Sequence, residues 1–241
     1  MPGGPVGAFF GYEVIGIFND SNQVKGAPVQ PDAAAGRFMF KDVDGNDTIN
    51  AADRKIIGNP NPDFTYGLNL GVTYKNWTFS AFFYGSQGND DYNEVRYWTD
   101  FYGSFPVTKS KDALYNSWTP DNPNAKLPVL ELSGNQSTIN AANSYFVEDG
   151  SFFKCRYVKV AYNFSNSAFL KRVGVNNLSA YVQALNLFTL TNYGGMDPEL
   201  QSAGSSNGAN PGYAATSSFG IDYGNYPNNQ KTYLIGVSLN F

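Results

Sequence analysis

The clearest pattern in this chain is alternation. From Lys231 to Phe241, the residues Tyr233, Ile235, Val237, Leu239 and Phe241 alternate with Thr232, Leu234, Gly236, Ser238 and Asn240. A period of two gives a strand one apolar face and one small or polar face. The same pattern runs through Tyr66, Leu68, Leu70, Val72 and Tyr74, then, after a tight turn at Lys75-Asn76, through Trp77, Phe79, Ala81 and Phe83. This predicts a hairpin with aromatic residues flanking its turn. Val158, Val160, Tyr162 and Phe164 form one face of a strand predicted over Phe152–Phe164, and Leu178–Leu190 reads as a further strand with less cleanly separated faces. Phe9–Phe18 (FFGYEVIGIF) reads as the first strand, which brings the count to six.

The connections alternate as well. A long connection follows the first strand, then come a tight turn, a long loop, a medium turn and another long loop. Short turns at one end and long loops at the other are the signature of a transmembrane β-barrel, whose strands need only about nine to eleven residues each. Apolar positions would then face lipid and polar ones a wet lumen. Six strands fall short of the roughly eight that close the smallest barrels. The expected class is therefore all-β, an antiparallel transmembrane barrel segment. Residues 1–241 would be the C-terminal part of a larger barrel, with extracellular loops at about 19–63, 88–151 and 191–229. A short helix is expected from Ser110 to Trp118.

Composition supports this reading and removes others. Aromatic residues make up 16% of the chain and charged residues only 15%, below the roughly one quarter usual for soluble domains. The net charge of −4 comes without any basic cluster, which argues against nucleic acid as a partner. Histidine is absent, so His-ligated metals and His-dependent nucleophilic catalysis are excluded. The single Cys155 can form no internal disulfide and reads as structural. No apolar run is long enough for a transmembrane helix, and the Met1–Gly7 segment does not have the pattern of a signal peptide.

One stretch carries metal chemistry. Asp42, Asp44, Asn46, Thr48, Asn50 and Asp53 stand at positions 1, 3, 5, 7, 9 and 12 of a twelve-residue loop, the oxygen spacing of EF-hand and dockerin Ca²⁺ loops. Asp47 replaces the usual glycine at position 6, and Asp53 replaces the longer glutamate at position 12. A Ca²⁺ site and an ion-free Asx-rich turn both remain open. Tyr97, Trp98 and Trp118, in the long middle loop, are candidates for stacking on sugar rings, with loop packing as the plainer alternative.

Several ordered segments resemble a known family. Phe40-Lys-Asp-Val-Asp-Gly45, then Asp53-Arg-Lys-Ile-Ile-Gly-Asn-Pro-Asn-Pro-Asp-Phe-Thr-Tyr-Gly67, is similar to a segment of the SusC/RagA-type TonB-dependent outer-membrane transporters. So are Ser144–Phe152 with Val158–Phe164, Asn186–Tyr193 with Asp197-Pro-Glu199, and the stretch from Tyr226 to Phe241. The resemblance covers nearly the whole chain and departs at Asn46-Asp47, where Asp-Gly is usual. It implies one portion of an importer of oligosaccharides or peptides in the outer membrane of a Gram-negative bacterium. It further implies a SusD-like lipoprotein acting as a lid, a TonB complex acting through a plug outside this chain, and barrel assembly machinery reading the last strand at Tyr233, Leu239 and Phe241.

Two other classes compete. A soluble, Ca²⁺-stabilised β-sandwich could bind glycans through Tyr97, Trp98 and Trp118. An enzyme could use Asp197 and Glu199 as paired carboxylates, but these flank Pro198 and read more easily as turn and loop-anchoring residues.

Overall fold

The computed structural model describes residues 3–101, 108–164, 174–200, 219–224 and 229–240. In chain order the elements are β1 (Phe9–Gly11), β2 (Val14–Ile17), α1 (Ser21–Gly26), β3 (Phe38–Phe40), β4 (Lys55–Gly58), β5 (Phe64–Tyr74) and β6 (Trp77–Gln87). They continue with β7 (Asp90–Asn93), α2 (Val95–Asp100), α3 (Lys111–Asn116), β8 (Val147–Asp149), β9 (Phe152–Asn163), β10 (Asn177–Thr191), β11 (Ile221–Asp222) and β12 (Thr232–Asn240). The chain divides into two units. One comprises Met1–Asn61, Asp90–Asp149 and Leu200–Asn225, the other Pro62–Asn89, Gly150–Glu199 and Tyr226–Phe241.

The second unit is a single antiparallel sheet in the order β12-β10-β9-β6-β5. The β5–β6 hairpin pairs without interruption from Phe64↔Gln87 to Tyr74↔Trp77. Its two-residue turn places Lys75 at φ +54°, the left-handed conformation that hairpin turns of this length require. Cross-strand partners share a face, so the register Leu68↔Phe83, Phe83↔Cys155 and Cys155↔Phe188 carries one face across four strands. That face bears Leu70, Val72, Phe79, Val160, Val182 and Ile235. The opposite face bears Asn69, Thr73, Ser80, Lys159, Gln183 and Ser238.

A bulge keeps the faces separate along β9. Cys155 and Tyr157 stand opposite Phe83 and Phe82, so Arg156 is an extra residue on the β9 side of this pairing. A matching irregularity in β10 lies between Leu185 and Phe188, where Asn186 takes φ +50°. Each extra residue resets the two-residue period. As a result Val158 and Val160 join the apolar face while Tyr157 and Lys159 join the polar one. The weaker patterning of Leu178–Leu190 follows from the same shift.

Among the described residues most large side chains of the apolar face are partly or wholly exposed, while the small Ala81 and Cys155 between them are buried. Ile235 is 86% exposed, Tyr233 67% and Val72 61%. The first unit does the reverse, gathering Tyr12, Phe38, Phe40, Ile49, Phe101, Ile139 and Phe146 into a closed core. Full burial of one such side chain contributes roughly 1.5–3 kcal/mol. Two of its buried polar side chains, Gln30 and Asn143, are held by hydrogen bonds. Gln30 donates through Nε2 to the Phe38 carbonyl at 2.8 Å and accepts from the Phe40 amide at 2.8 Å. Asn143 donates to the carbonyls of Thr138 and Ala141.

The strand expected over Phe9–Phe18 is two short strands with different partners. β1 pairs with β4, and β2 with β3. The break falls at Tyr12, whose amide donates to the Ala142 carbonyl and whose ring stacks on Phe40 with centroids 4.9 Å apart. An aromatic drawn into the core of the first unit thus interrupts what reads as one apolar run. The other five expected strands form the five-stranded sheet. The expected helix appears as α3, capped by Ser110 Oγ, which accepts from the Ala113 amide at 3.0 Å.

Candidate functional site

The twelve-residue loop in the first unit is built by Asx turns. Asp42 accepts from the amides of Gly45 at 2.7 Å and Asp47 at 2.8 Å. Asn46 Oδ1 accepts from the Thr48 amide at 2.9 Å, and Asn50 Oδ1 from the Ala52 amide at 2.9 Å. Asp47 adopts φ +58°, so the residue at the usual glycine position takes the left-handed conformation the loop demands. The Val29 amide donates to the Asp47 carbonyl, and the Ile49 amide to the Val29 carbonyl, tying the loop to the preceding segment.

The curl brings three carboxylates together. One oxygen each from Asp42, Asp44 and Asp53 lies within 4.8 Å of the others. Two oxygens on opposite sides of a Ca²⁺ ion stand about 5 Å apart, twice the bond length, so this spacing matches the inside of such a shell. Asp53 has no accessible surface and is covered by its own loop. Its oxygens accept from the amides of Val43 at 2.8 Å and Asn50 at 2.7 Å. Desolvation pushes its pKa up, but the amides of Asn50, Val43 and Asp44 and the contact with Asp42 outweigh this and hold the carboxyl below its ordinary value. Three carboxylates at this spacing are the chemistry a hard divalent cation takes; Asn46 Oδ1, Asn50 Oδ1 and the Thr48 carbonyl accept hydrogen bonds from within the loop.

The three aromatic candidates have different surroundings. Tyr97 packs against the core cluster and meets Trp98 edge-on, with centroids 4.8 Å apart. Trp98 is half exposed. Trp118 lies over Gly36, where an added Cβ would stand 2.5 Å from its ring, so this indole serves packing. Tyr233 and Leu239 lie on the exposed apolar face of β12. Phe241 lies outside the described residues.

The polar face of the sheet carries a charge cluster. Lys154 on β9 is completely buried, and its Nζ donates to Asp197 Oδ1 at 3.0 Å and to Glu199 Oε2 at 2.8 Å. The Arg156 guanidinium pairs with the other Glu199 oxygen and stands 5.5 Å from the centre of the Tyr84 ring. Asp197 and Glu199 thus anchor a loop, as their place beside Pro198 predicts. The two cations that receive them could not be found by sequence reasoning. The available signal was a Lys-Cys-Arg run inside an otherwise low-charge strand.

The described structure is thus an antiparallel β fold whose long sheet exposes apolar residues on one face and holds paired charges on the other. No family profile matches the chain, but individual proteins do. It is 35% identical over 240 residues to TonB-dependent receptor P3 of Formosa agariphila, spanning 99% of this chain and 22% of that protein. It is 30% identical over 206 residues to TonB-dependent receptor SusC of Bacteroides thetaiotaomicron, spanning 84% of this chain and 17% of that one. Among solved structures, the RagAB peptide importer in its open-open state superposes with a TM-score of 0.72 at 24% identity, covering 97% of this chain and 22% of that chain. The RagAB peptide transporter gives 0.71 at 25% identity with the same coverage. The chain belongs to the SusC/RagA family of TonB-dependent receptors. It spans about a fifth of the length of the relatives it matches.

Proposed function

We propose that this chain is the C-terminal arc of an outer-membrane barrel that imports oligosaccharides or peptides across a Gram-negative outer membrane, with a SusD-like lipoprotein as lid and the TonB complex as energy source. The observation that carries this reading is the separation of faces. Five consecutive sheet strands present bulky apolar residues to one side, while every Asn and Lys that pairs within the sheet lies on the other, with Gln183, among Ser, Thr, Tyr and a few apolar residues such as Phe82, Leu185 and Leu234. Lipid would cover the first side and water the second. The edge strands β5 and β12 would pair with further strands of the complete receptor, since an unpaired edge in lipid leaves backbone groups unsatisfied. The three long segments of the first unit would lie on the extracellular side, where Trp98 would meet ligand or lid. Barrel assembly machinery would read the last strand, including Tyr233, Leu239 and Phe241.

The test is the chain's behaviour by size-exclusion chromatography and circular dichroism. The wall reading predicts aggregation in plain buffer and a dispersed, β-rich species in detergent. A monodisperse, cooperatively folding monomer in plain buffer would contradict it and favour a soluble glycan-binding module.

We further propose that Asp42, Asp44, Asn46, Thr48, Asn50 and Asp53 hold Ca²⁺, which would neutralise three clustered carboxylates and fix the loop. An ion at a hundred times its dissociation constant stabilises a fold by about 2.7 kcal/mol. Calcium should therefore raise the melting temperature of the first unit, and Asp53→Asn should abolish the increase. An unchanged melting temperature with millimolar calcium would dismiss the site.

A further inference from the structure

A fully buried lysine in a barrel wall needs a reason. The cross-strand neighbours of Lys154 are Tyr84 on β6 and Thr189 on β10, and neither carries a countercharge. The next positions toward the strand end on this face are the uncharged Ser86 and Thr191. The countercharge comes instead from the connection after β10. The chain leaves that strand at Thr191 and then brings Asp197 and Glu199 back onto the polar face. The Glu199 amide donates to Asp197 Oδ1 at 3.1 Å, which turns both carboxylates toward the same side across Pro198. Arg156 takes the outer oxygen of Glu199.

We propose that Lys154 and Arg156 are positioning residues: they clip the Asp197-Pro198-Glu199 segment to the polar face, so that the last long connection starts from a fixed point inside the rim of the lumen. This rests on the wall reading for its place in the lumen. The position near the rim follows from register, since Lys154 lies two residues from Phe152, at the end of β9 that pairs with Ser86 and Thr191. The two cations and two carboxylates cancel, so the clip adds no net charge to the transport path. Among the described residues no donor reaches the buried Asp197 Oδ2, and the aspartate is held there through Oδ1. Removal of Lys154 would therefore leave a buried carboxylate uncompensated.

The test is a double-mutant cycle on the full chain in detergent micelles, reading the rate of proteinase K cleavage within residues 200–218. Lys154→Met should speed cleavage by about tenfold, and adding Asp197→Asn to it should change the rate by less than about twofold, because coupled groups are non-additive. Glu199→Gln leaves the Lys154–Asp197 pair intact and guards against misfolding. It should give a smaller increase, about threefold, with wild-type circular dichroism. Additive effects of Lys154→Met and Asp197→Asn, or a wild-type cleavage rate in both Lys154→Met and Glu199→Gln, would overturn the proposal. Failure of the wall reading appears separately, as failure of the unsubstituted chain to require detergent.

Discussion

The two units of this chain bury their apolar residues in opposite directions. In the first, Phe38 and Phe146 are 1% and 2% exposed at the centre of a closed cluster, although apolar residues such as Leu114 and Leu132 remain outside it. In the sheet, Leu70, Val72, Val182 and Ile235 all face outward, and the completely buried side chain of greatest polarity is Lys154. The composition of the strands does not separate the two cases, because β3 (FMF) is as apolar as any wall strand. What differs is length and regularity. The short strands of the first unit, three or four residues each apart from the two of β11, are pinned by side chains from other segments. The strands of the five-stranded sheet run nine to fifteen residues and make backbone pairs along their length. An element that must satisfy its backbone without water needs such unbroken pairing.

The comparison can be broken in several ways. The largest effect should come from Phe38→Ala, which opens a cavity in the closed core and should cost about 3–5 kcal/mol. In urea titrations followed by circular dichroism, the wall signal should persist while the first unit is lost. Next, Ile235→Arg should cost about 2–4 kcal/mol in lipid or detergent if this position lies near mid-membrane. Ser238→Arg, on the other face, should be close to neutral. Equal costs at the two positions would remove the distinction between faces. Ser110→Ala deletes the cap of α3 and should cost about 1 kcal/mol, measured as a shift in the first unit's transition alone.

The smallest effect is the response to acid. Glu13 is held below its ordinary carboxylate range by hydrogen bonds from Lys55 at 2.7 Å and Lys41 at 3.1 Å, and Asp53 is lowered by backbone amides despite its desolvation. Both are depressed in the folded state, so their stabilisation is present above the unfolded value, about 4. It is lost as the pH falls through the lower folded values. The first unit should therefore loosen below about pH 4 by a modest amount, because the Glu13 pairs are partly exposed. A transition temperature flat from pH 5 to pH 2.5 would contradict this.

Much of the five-stranded sheet was legible because a period-two pattern is read directly from residues, and the hairpin at Lys75-Asn76 has nearly the predicted boundaries. The loop at Asp42–Asp53 was legible for the same reason, since its chemistry lies in consecutive positions. What sequence could not supply is pairing over long separations. Phe9–Phe18 read as one strand because its apolar run is continuous, yet its two halves pair with Lys55–Gly58 and Phe38–Phe40. For Trp118 both ligand stacking and loop packing fit the sequence, and its contact with Gly36, 82 positions earlier, is not visible in any local pattern. The ion pairs of Lys154 with Asp197 and Glu199 span more than forty positions, and the bulge at Arg156 beside them is announced by no local pattern.

The most direct test of the central claim is residue-by-residue accessibility along β12. Single cysteines at positions 232–239, in a Cys155→Ser background, would carry spin labels in the chain reconstituted in detergent or lipid. Their collision with oxygen, which partitions into the apolar phase, would be compared with collision with a water-soluble nickel chelate. The account predicts strict alternation, with Tyr233, Ile235, Val237 and Leu239 accessible to oxygen and Thr232, Leu234, Gly236 and Ser238 accessible to the chelate. A uniform profile, or shielding of the apolar set from both probes, would contradict a lipid-facing wall.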